Sequence, residues 1–211
     1  MSQSSQTSLC IEPGKPVAVI RLSDFREAIP LCRSLLAGGI ITLEFAMSNP
    51  DAVATISRVR QALPEQVVIG AGTVLSAEDA NAAIRAGAQF LVTPALIPEV
   101  IASGKQRGVD VICGAFTPTE ILNAWRAGAS LVKVFPAGRL GPDYIRDILG
   151  PFPAIPLVPT GGIHLENCAA FLKAGAYTVG VGSSLVNDRL VEAKDWTSLT
   201  ERAREYVRLC L

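Results

Sequence analysis

Short runs of apolar, largely β-branched residues alternate with stretches of helical periodicity along almost the whole chain. Successive apolar positions over four to six residues are the pattern of strands buried on both faces, as in parallel sheets. Such runs are found at 17–21, 40–45, 67–70, 90–93, 109–113, 131–135, 155–159 and 178–181. Their spacing is roughly that of one strand and one helix joined by short loops. Between them the periodicity predicts helices, among them 25–37, 77–86, 118–127 and 165–174. Two of these begin with strong start signals, Ser76-Ala77-Glu78-Asp79 and Thr117-Pro118-Thr119-Glu120. Three end in nearly the same words: Arg85-Ala86-Gly87-Ala88, Arg126-Ala127-Gly128-Ala129 and Lys173-Ala174-Gly175-Ala176. A cation in the last turn answers the helix dipole, and Gly supplies the left-handed stop.

Eight such units in 211 residues predict an α/β protein built as a single (β/α)8 barrel with short loops. The structural alternative is a doubly wound open sheet, but no G-x-G-x-x-G follows the first strand. One barrel domain is expected over 13–211. Residues 1–12, rich in Ser and Gln, read as a loose polar end rather than a signal peptide.

Composition narrows the function. Nineteen basic and nineteen acidic residues cancel and no basic cluster occurs, so nucleic acid is not an expected partner. No apolar run approaches membrane-spanning length. The five cysteines, Cys10, Cys32, Cys113, Cys168 and Cys210, show no CxxC spacing and suit a reducing cytoplasm. A single histidine, His164, and no aligned carboxylates leave no usual metal site. No metal and no cofactor are expected; His164 reads as a helix-start surface residue.

One residue breaks the strand pattern. Lys133 interrupts Leu131-Val132-Lys133-Val134-Phe135-Pro136, whereas Lys15, Lys105, Lys173 and Lys194 fall where water reaches them. A buried ammonium costs several kcal/mol unless it is paired or neutral. A neutral, desolvated lysine is a nucleophile able to form a Schiff base with a carbonyl. Side chains alternate along a strand, so Lys133 and Phe135 share one face, and Glu44 shares one with Thr42 on the second strand. If both faces point inward, Lys133 and Glu44 meet inside the barrel. A structural ion pair is the alternative for these two residues alone.

Barrel sites lie at the C-terminal strand ends. There the chain offers Arg21, suited to a carboxylate or phosphate, and two turns suited to an anion, Thr160-Gly161-Gly162 and Gly182-Ser183-Ser184. Cys113 and the tryptophans Trp125 and Trp196 read as packing or interface residues.

Together these stretches resemble the family of 2-keto-3-deoxy-6-phosphogluconate (KDPG) and 4-hydroxy-2-oxoglutarate (KHG) aldolases. The resemblance is carried by Gly38-Gly39-Ile40-Ile41-Thr42-Leu43-Glu44, Gly70-Ala71-Gly72-Thr73, Val92-Thr93-Pro94, Val132-Lys133-Val134-Phe135-Pro136, Pro159-Thr160-Gly161-Gly162 and Gly180-Val181-Gly182-Ser183. It implies a metal-independent Schiff-base aldolase that cleaves a 2-keto-4-hydroxy acid to pyruvate and an aldehyde, working as a cytoplasmic homotrimer. Lys133 is then the Schiff-base lysine and Glu44 the general acid/base. Thr73, Pro94, Phe135 and Thr160 surround the keto acid, and Gly161, Gly162 and Ser183 bind the phosphate. One position departs: Ser48 stands where some members carry an arginine for the pyruvate carboxylate, and Arg21 at the end of strand one takes that task. Two other readings are a 2-keto-3-deoxy-6-phosphogalactonate aldolase and a non-catalytic sugar-phosphate-binding barrel. A phosphate-binding isomerase or a transferase like thiamin-phosphate synthase would not call for a lysine on strand six.

Overall fold

The computed structural model describes residues 9–210. Strands β1 (Val17–Ile20), β2 (Thr42–Ala46), β3 (Val68–Gly72), β4 (Phe90–Val92), β5 (Asp110–Ala115), β6 (Leu131–Val134), β7 (Leu157–Pro159) and β8 (Gly180–Val181) are all parallel. Each is followed by a helix: α1 (Ala28–Ala37), α2 (Ala52–Ala62), α3 (Ala77–Arg85), α4 (Pro98–Arg107), α5 (Pro118–Ala127), α6 (Gly141–Leu149), α7 (Cys168–Lys173) and α8 (Asp188–Glu192). A last helix, α9 (Trp196–Cys210), packs across α1. The strand order β7-β6-β5-β4-β3-β2-β1-β8 runs round the molecule, and a parallel bridge between Thr160 and Gly180 joins its ends. This is the (β/α)8 barrel expected from the spacing.

Alternation along the strands divides the core in two. Ala18, Ile20, Leu43, Phe45, Leu91, Val132 and Val134 point outward and pack under the helices. Val17, Phe90, Val92, Ile112, Leu131 and Val158 point inward and fill the barrel. Large and small residues interlock there: a Cβ added to Gly70 would lie 2.5 Å from the Phe90 ring. The helices carry the signals read from the sequence. Ser76 caps α3 through the Asp79 amide, and Thr117 with Glu120 forms a complete capping box on α5.

Several boundaries differ from the sequence-based expectation. The first helix begins at Ala28 rather than 25, and α7 spans only Cys168–Lys173 within 165–174. The β1 strand stops at Ile20, which leaves Arg21 in the loop beyond it. Residues 1–8 of the expected loose end lie outside the described residues, but that expectation does not extend to 9–12. Ile11 is fully buried and joins the inward cluster of Val17, Phe90 and Leu131. The Cys10 amide donates to Asp110 Oδ2 at 2.9 Å, and the Tyr177 hydroxyl donates to the Ile11 carbonyl at 2.8 Å. This segment closes the floor of the barrel, opposite the strand ends that carry the site. Ile11→Ala is expected to lower the unfolding free energy by about 2–4 kcal/mol in urea titration, because the cavity it leaves cannot collapse between rigid strands. A loss below about 0.5 kcal/mol would show that the floor contributes little.

Candidate active site

The inward face of β6 carries Leu131 into the barrel interior and Lys133 one layer higher, with Phe135 at the mouth. Lys133 is 5% exposed, and its Nζ lies 5.0 Å from the centroid of the Phe135 ring. On β2, Glu44 is 3% exposed and faces the same interior. The strands that separate them set the distance. Glu44 pairs in register with Gly70 of β3, and Lys133 pairs with Gly114 of β5.

Among the described residues, no ion pair within 4.0 Å joins Glu44 to Lys133 or to Arg21. Both cations are nonetheless close enough to act on the carboxyl. Burial pushes Glu44 up from the ordinary carboxylate range, and the charges of Lys133 and then Arg21 pull it back only in part. The carboxylate rests against the backbone of β3, where any Cβ on Gly72 would overlap Glu44 Oε1. Thr73 follows with φ 58°, a left-handed conformation that a β-branched residue adopts only when its surroundings compel it.

A cavity of about 280 Å³ opens above Lys133. Arg21, Lys133, Phe135, Thr160, Gly161, Gly162 and Ser183, all expected at the site, line it together. Glu44 borders this group from across the barrel, and Thr73 stands beside it past Gly72. Pro94 sits one strand further on, its carbonyl packed so closely against Gly114 that no side chain fits there. Glu44, Thr73 and Pro94 are not walls of the cavity itself. The sequence reading did not single out Val19 and Ile163 as lining residues, nor Ser184 as a separate wall. His164, read as a surface residue, is exposed yet stands at the rim, with Nδ1 2.5 Å from Glu166 Oε2. Its position two residues after the Gly-Gly turn was the available signal.

The far end of the cavity is made of backbone. Gly161 and Gly162 have φ 83° and 78°, two consecutive left-handed residues that favour glycine. The turn is fixed by the next loop, where the Ala137 amide donates to Thr160 O at 2.8 Å and the Gly138 amide to Gly161 O at 2.7 Å. Opposite, Leu185 and Val186 donate to the Gly182 carbonyl, so the amides of Ser183 and Ser184 head a helical turn. Such an arrangement offers donors to an anion without burying a cation. Ser184 Oγ donates to Ile163 O at 2.6 Å and ties the two turns together.

Arg21 is exposed, and its loop is held from two sides. Asn49 Nδ2 donates to the carbonyls of Leu22 and Ser23, each at 3.2 Å. The Ser23 amide and hydroxyl donate to Asp188 Oδ1 at 2.9 and 2.8 Å. Ser48 is exposed in the turn after β2.

Among the described residues no three His, Cys, Asp or Glu side chains gather as metal ligands. Among the described residues no helix is long and apolar enough to cross a membrane.

Because the raised pKa of Glu44 belongs to the folded state, the folded protein binds the proton more tightly than the unfolded chain. Stability therefore falls as pH rises through the window above the ordinary carboxylate value. Glu44→Gln is expected to melt at a higher temperature than the parent near about pH 8, the difference shrinking toward about pH 4. A flat difference across that range in calorimetry would show that burial does not perturb this carboxyl.

Four similarities accord with this geometry. The model of the KDPG and KHG aldolase family matches residues 9–202. The 2-dehydro-3-deoxy-phosphogluconate aldolase of Treponema pallidum is 36% identical over 200 residues, covering 94% of this chain and 95% of that protein. A solved structure described as native KDPGal superposes with TM-score 0.86 at 30% identity, over 92% of this chain and 93% of that one. The KDPG aldolase of Legionella pneumophila, solved with pyruvate captured as a covalent carbinolamine, gives TM-score 0.81 at 28% identity, over 95% and 97% of the two chains. The chain belongs to the KDPG and KHG aldolase family.

Proposed function

We propose that Lys133 and Glu44 perform the reversible aldol cleavage of 2-keto-3-deoxy-6-phosphogluconate to pyruvate and glyceraldehyde 3-phosphate, or of 4-hydroxy-2-oxoglutarate to pyruvate and glyoxylate. The observation that carries this reading is the placement of Lys133. It is a buried amine at the mouth of a barrel, within Coulomb reach of Glu44 but outside ion-pair distance, under a cavity whose far end is built for an anion.

The unprotonated Lys133 amine attacks the C2 carbonyl, and the carbinolamine loses water to give an iminium ion. Glu44, directly or through one water, takes the C4 hydroxyl proton as the C3–C4 bond breaks. The bonding pair moves into the iminium and leaves an enamine and the aldehyde. Glu44 returns the proton to C3, and hydrolysis of the new iminium frees pyruvate and Lys133. A carboxyl held above its ordinary pKa by burial suits a group that must both accept and give back a proton. Arg21 holds the keto-acid carboxylate. Thr73, Pro94, Phe135 and Thr160 shape the space around the keto acid, and Gly161, Gly162 and Ser183 receive the phosphate.

A 2-keto-3-deoxy-6-phosphogalactonate aldolase is the second reading, and the loop after β2 favours keeping it. Ser48 is exposed and uncharged there, so the substrate is oriented by a different set of contacts from those of members with an arginine. The two substrates differ at C4, and kcat/KM for both epimers and for hydroxyoxoglutarate decides between them. The cytoplasm is the expected compartment, supported by five cysteines that are all free. A homotrimer is supported by apolar surface at Leu75, Phe116 and Trp125, exposed by 54%, 42% and 37%. Solution mass measurement should give three chains; a monomeric mass at micromolar concentration would refute it.

Borohydride with pyruvate is expected to add one reduced pyruvyl group to Lys133, seen by peptide mass mapping. Lys133→Ala should lose the adduct and roughly a thousandfold or more of kcat/KM for cleavage. Full cleavage by Lys133→Ala would overturn the mechanism. Binding of phosphate ligands without any trapped keto acid would instead mark a sensor.

A further inference from the structure

Arg21 faces a problem that Lys133 does not. The lysine rides on a strand walled by its neighbours, whereas Arg21 lies one residue past the end of β1, in an exposed loop. A bidentate grip on a carboxylate needs the guanidinium fixed to a fraction of an ångström, and a free loop does not supply that. The turn after β2 contains no arginine to share the task; it contains Asn49.

The side-chain amide of Asn49 donates both its protons into the Arg21 loop, to Leu22 O and Ser23 O, each at 3.2 Å. Its own position is fixed. Asn49 Oδ1 accepts from the Asp51 amide at 2.9 Å, and its carbonyl accepts from Ala52 at 3.1 Å, which seats it at the start of α2. The same turn is anchored to the acid side of the site, because the Met47 amide donates to Gly72 O at 2.7 Å. Asp188 completes the clamp from the other flank by accepting the amide and hydroxyl of Ser23.

We propose that Asn49 is a positioning residue for substrate binding: it fixes the loop that presents Arg21 and so sets affinity for the keto-acid carboxylate, without touching the reacting atoms. The inference rests on the assignment of Arg21 to that carboxylate. It gives the β2–α2 turn of this chain a task that its sequence hides, since the turn acts through a neighbouring loop instead of offering a charge of its own. Deletion of the clamp leaves Lys133 and Glu44 in place, because both are held by the barrel strands.

The test is a double-mutant cycle on Arg21→Ala and Asn49→Ala in the full chain. The readouts are the pyruvate concentration giving half-maximal borohydride trapping, kcat and KM for cleavage, and Tm. Asn49→Ala is expected to raise the pyruvate half-saturation and KM about fivefold, with kcat and the limiting trapping rate changed less than about twofold. Arg21→Ala is expected to raise them by about ten- to a hundredfold, through loss of a charge-assisted contact. In the Arg21→Ala background, Asn49→Ala should have almost no further effect on binding. Asn49→Ser, which keeps one donor, should recover part of the loss.

Three outcomes overturn the inference. In one, Arg21→Ala weakens pyruvate but Asn49→Ala does not. In another, the two effects on binding multiply independently. In the third, Asn49→Ala lowers kcat and Tm together, which would mark Asn49 as merely structural. If Arg21→Ala itself leaves pyruvate binding unchanged, the assignment of Arg21 fails, a result separable from failure of the clamp.

Discussion

A lysine and a glutamate buried in one barrel mouth, near enough to feel each other yet not paired, set the terms for the rest of the site. Contact would be the cheaper arrangement electrostatically, but a lysine locked to a carboxylate keeps its proton and has no lone pair to give. Separation leaves each group partly uncompensated, which is why burial dominates the Glu44 carboxyl. The cost is accepted where chemistry needs it, as is common for perturbed groups in clefts. What maintains the separation is steric. Glu44 fits against β3 because Gly72 presents no side chain there, and the left-handed Thr73 follows directly.

The same economy of space recurs around the ring. Eight strands close at this size only if the interior is filled without overlap. Phe90 is large, so Gly70 faces it; Thr160 reaches toward β8, so Gly180 stands opposite and the β7–β8 seam can close on a single bridge. That seam is also where the anion-binding turns emerge. The shortness of β7 and β8 is therefore useful: strands that stop early leave residues 161–162 and 183–184 to line the cavity. Closure of the barrel and construction of the proposed phosphate end are one geometric event.

Much of this was legible in the sequence because parallel strands buried on both faces advertise themselves as apolar runs, and a charge inside one is conspicuous. Lys133 and Glu44 stood out for that reason, and alternation along β2 and β6 placed both inward. The Gly-Gly turn was visible as composition, and its consecutive positive φ values explain why glycine occupies both positions. Contacts between loops left no such trace. Asn49 and Leu22 lie 27 residues apart, and nothing in either segment names the other. Ile11 was hidden for the opposite reason: the run Leu9-Cys10-Ile11 after a polar stretch is too short to show a period, although Ile11 fills the barrel floor. Boundaries drifted where loops and helices share residues, as at the start of α1 and both ends of α7.

The site thus distributes its tasks by how firmly each group must be held. The amine and the acid sit on strands, where every neighbour is packed and reorganisation is small. The proposed phosphate end is built of turns pinned to one another by Ala137, Gly138 and Ser184. The proposed carboxylate end is the most exposed: Arg21 lies in solvent-facing chain, and the next two residues are held by Asn49 of the β2–α2 turn and by Asp188 at the start of α8. Stability at loops is low and their sequence is free to vary, so the tasks assigned to them are those that can change between relatives without disturbing the chemistry. On the proposed assignment of Arg21, an arginine four residues after the glutamate and an arginine braced from beside it would be two solutions to one requirement: a fixed positive charge for the keto-acid carboxylate. In the proposed reaction the bond-breaking step is indifferent to which is used, because the electrons flow into the nitrogen on β6 and the proton returns through the acid on β2.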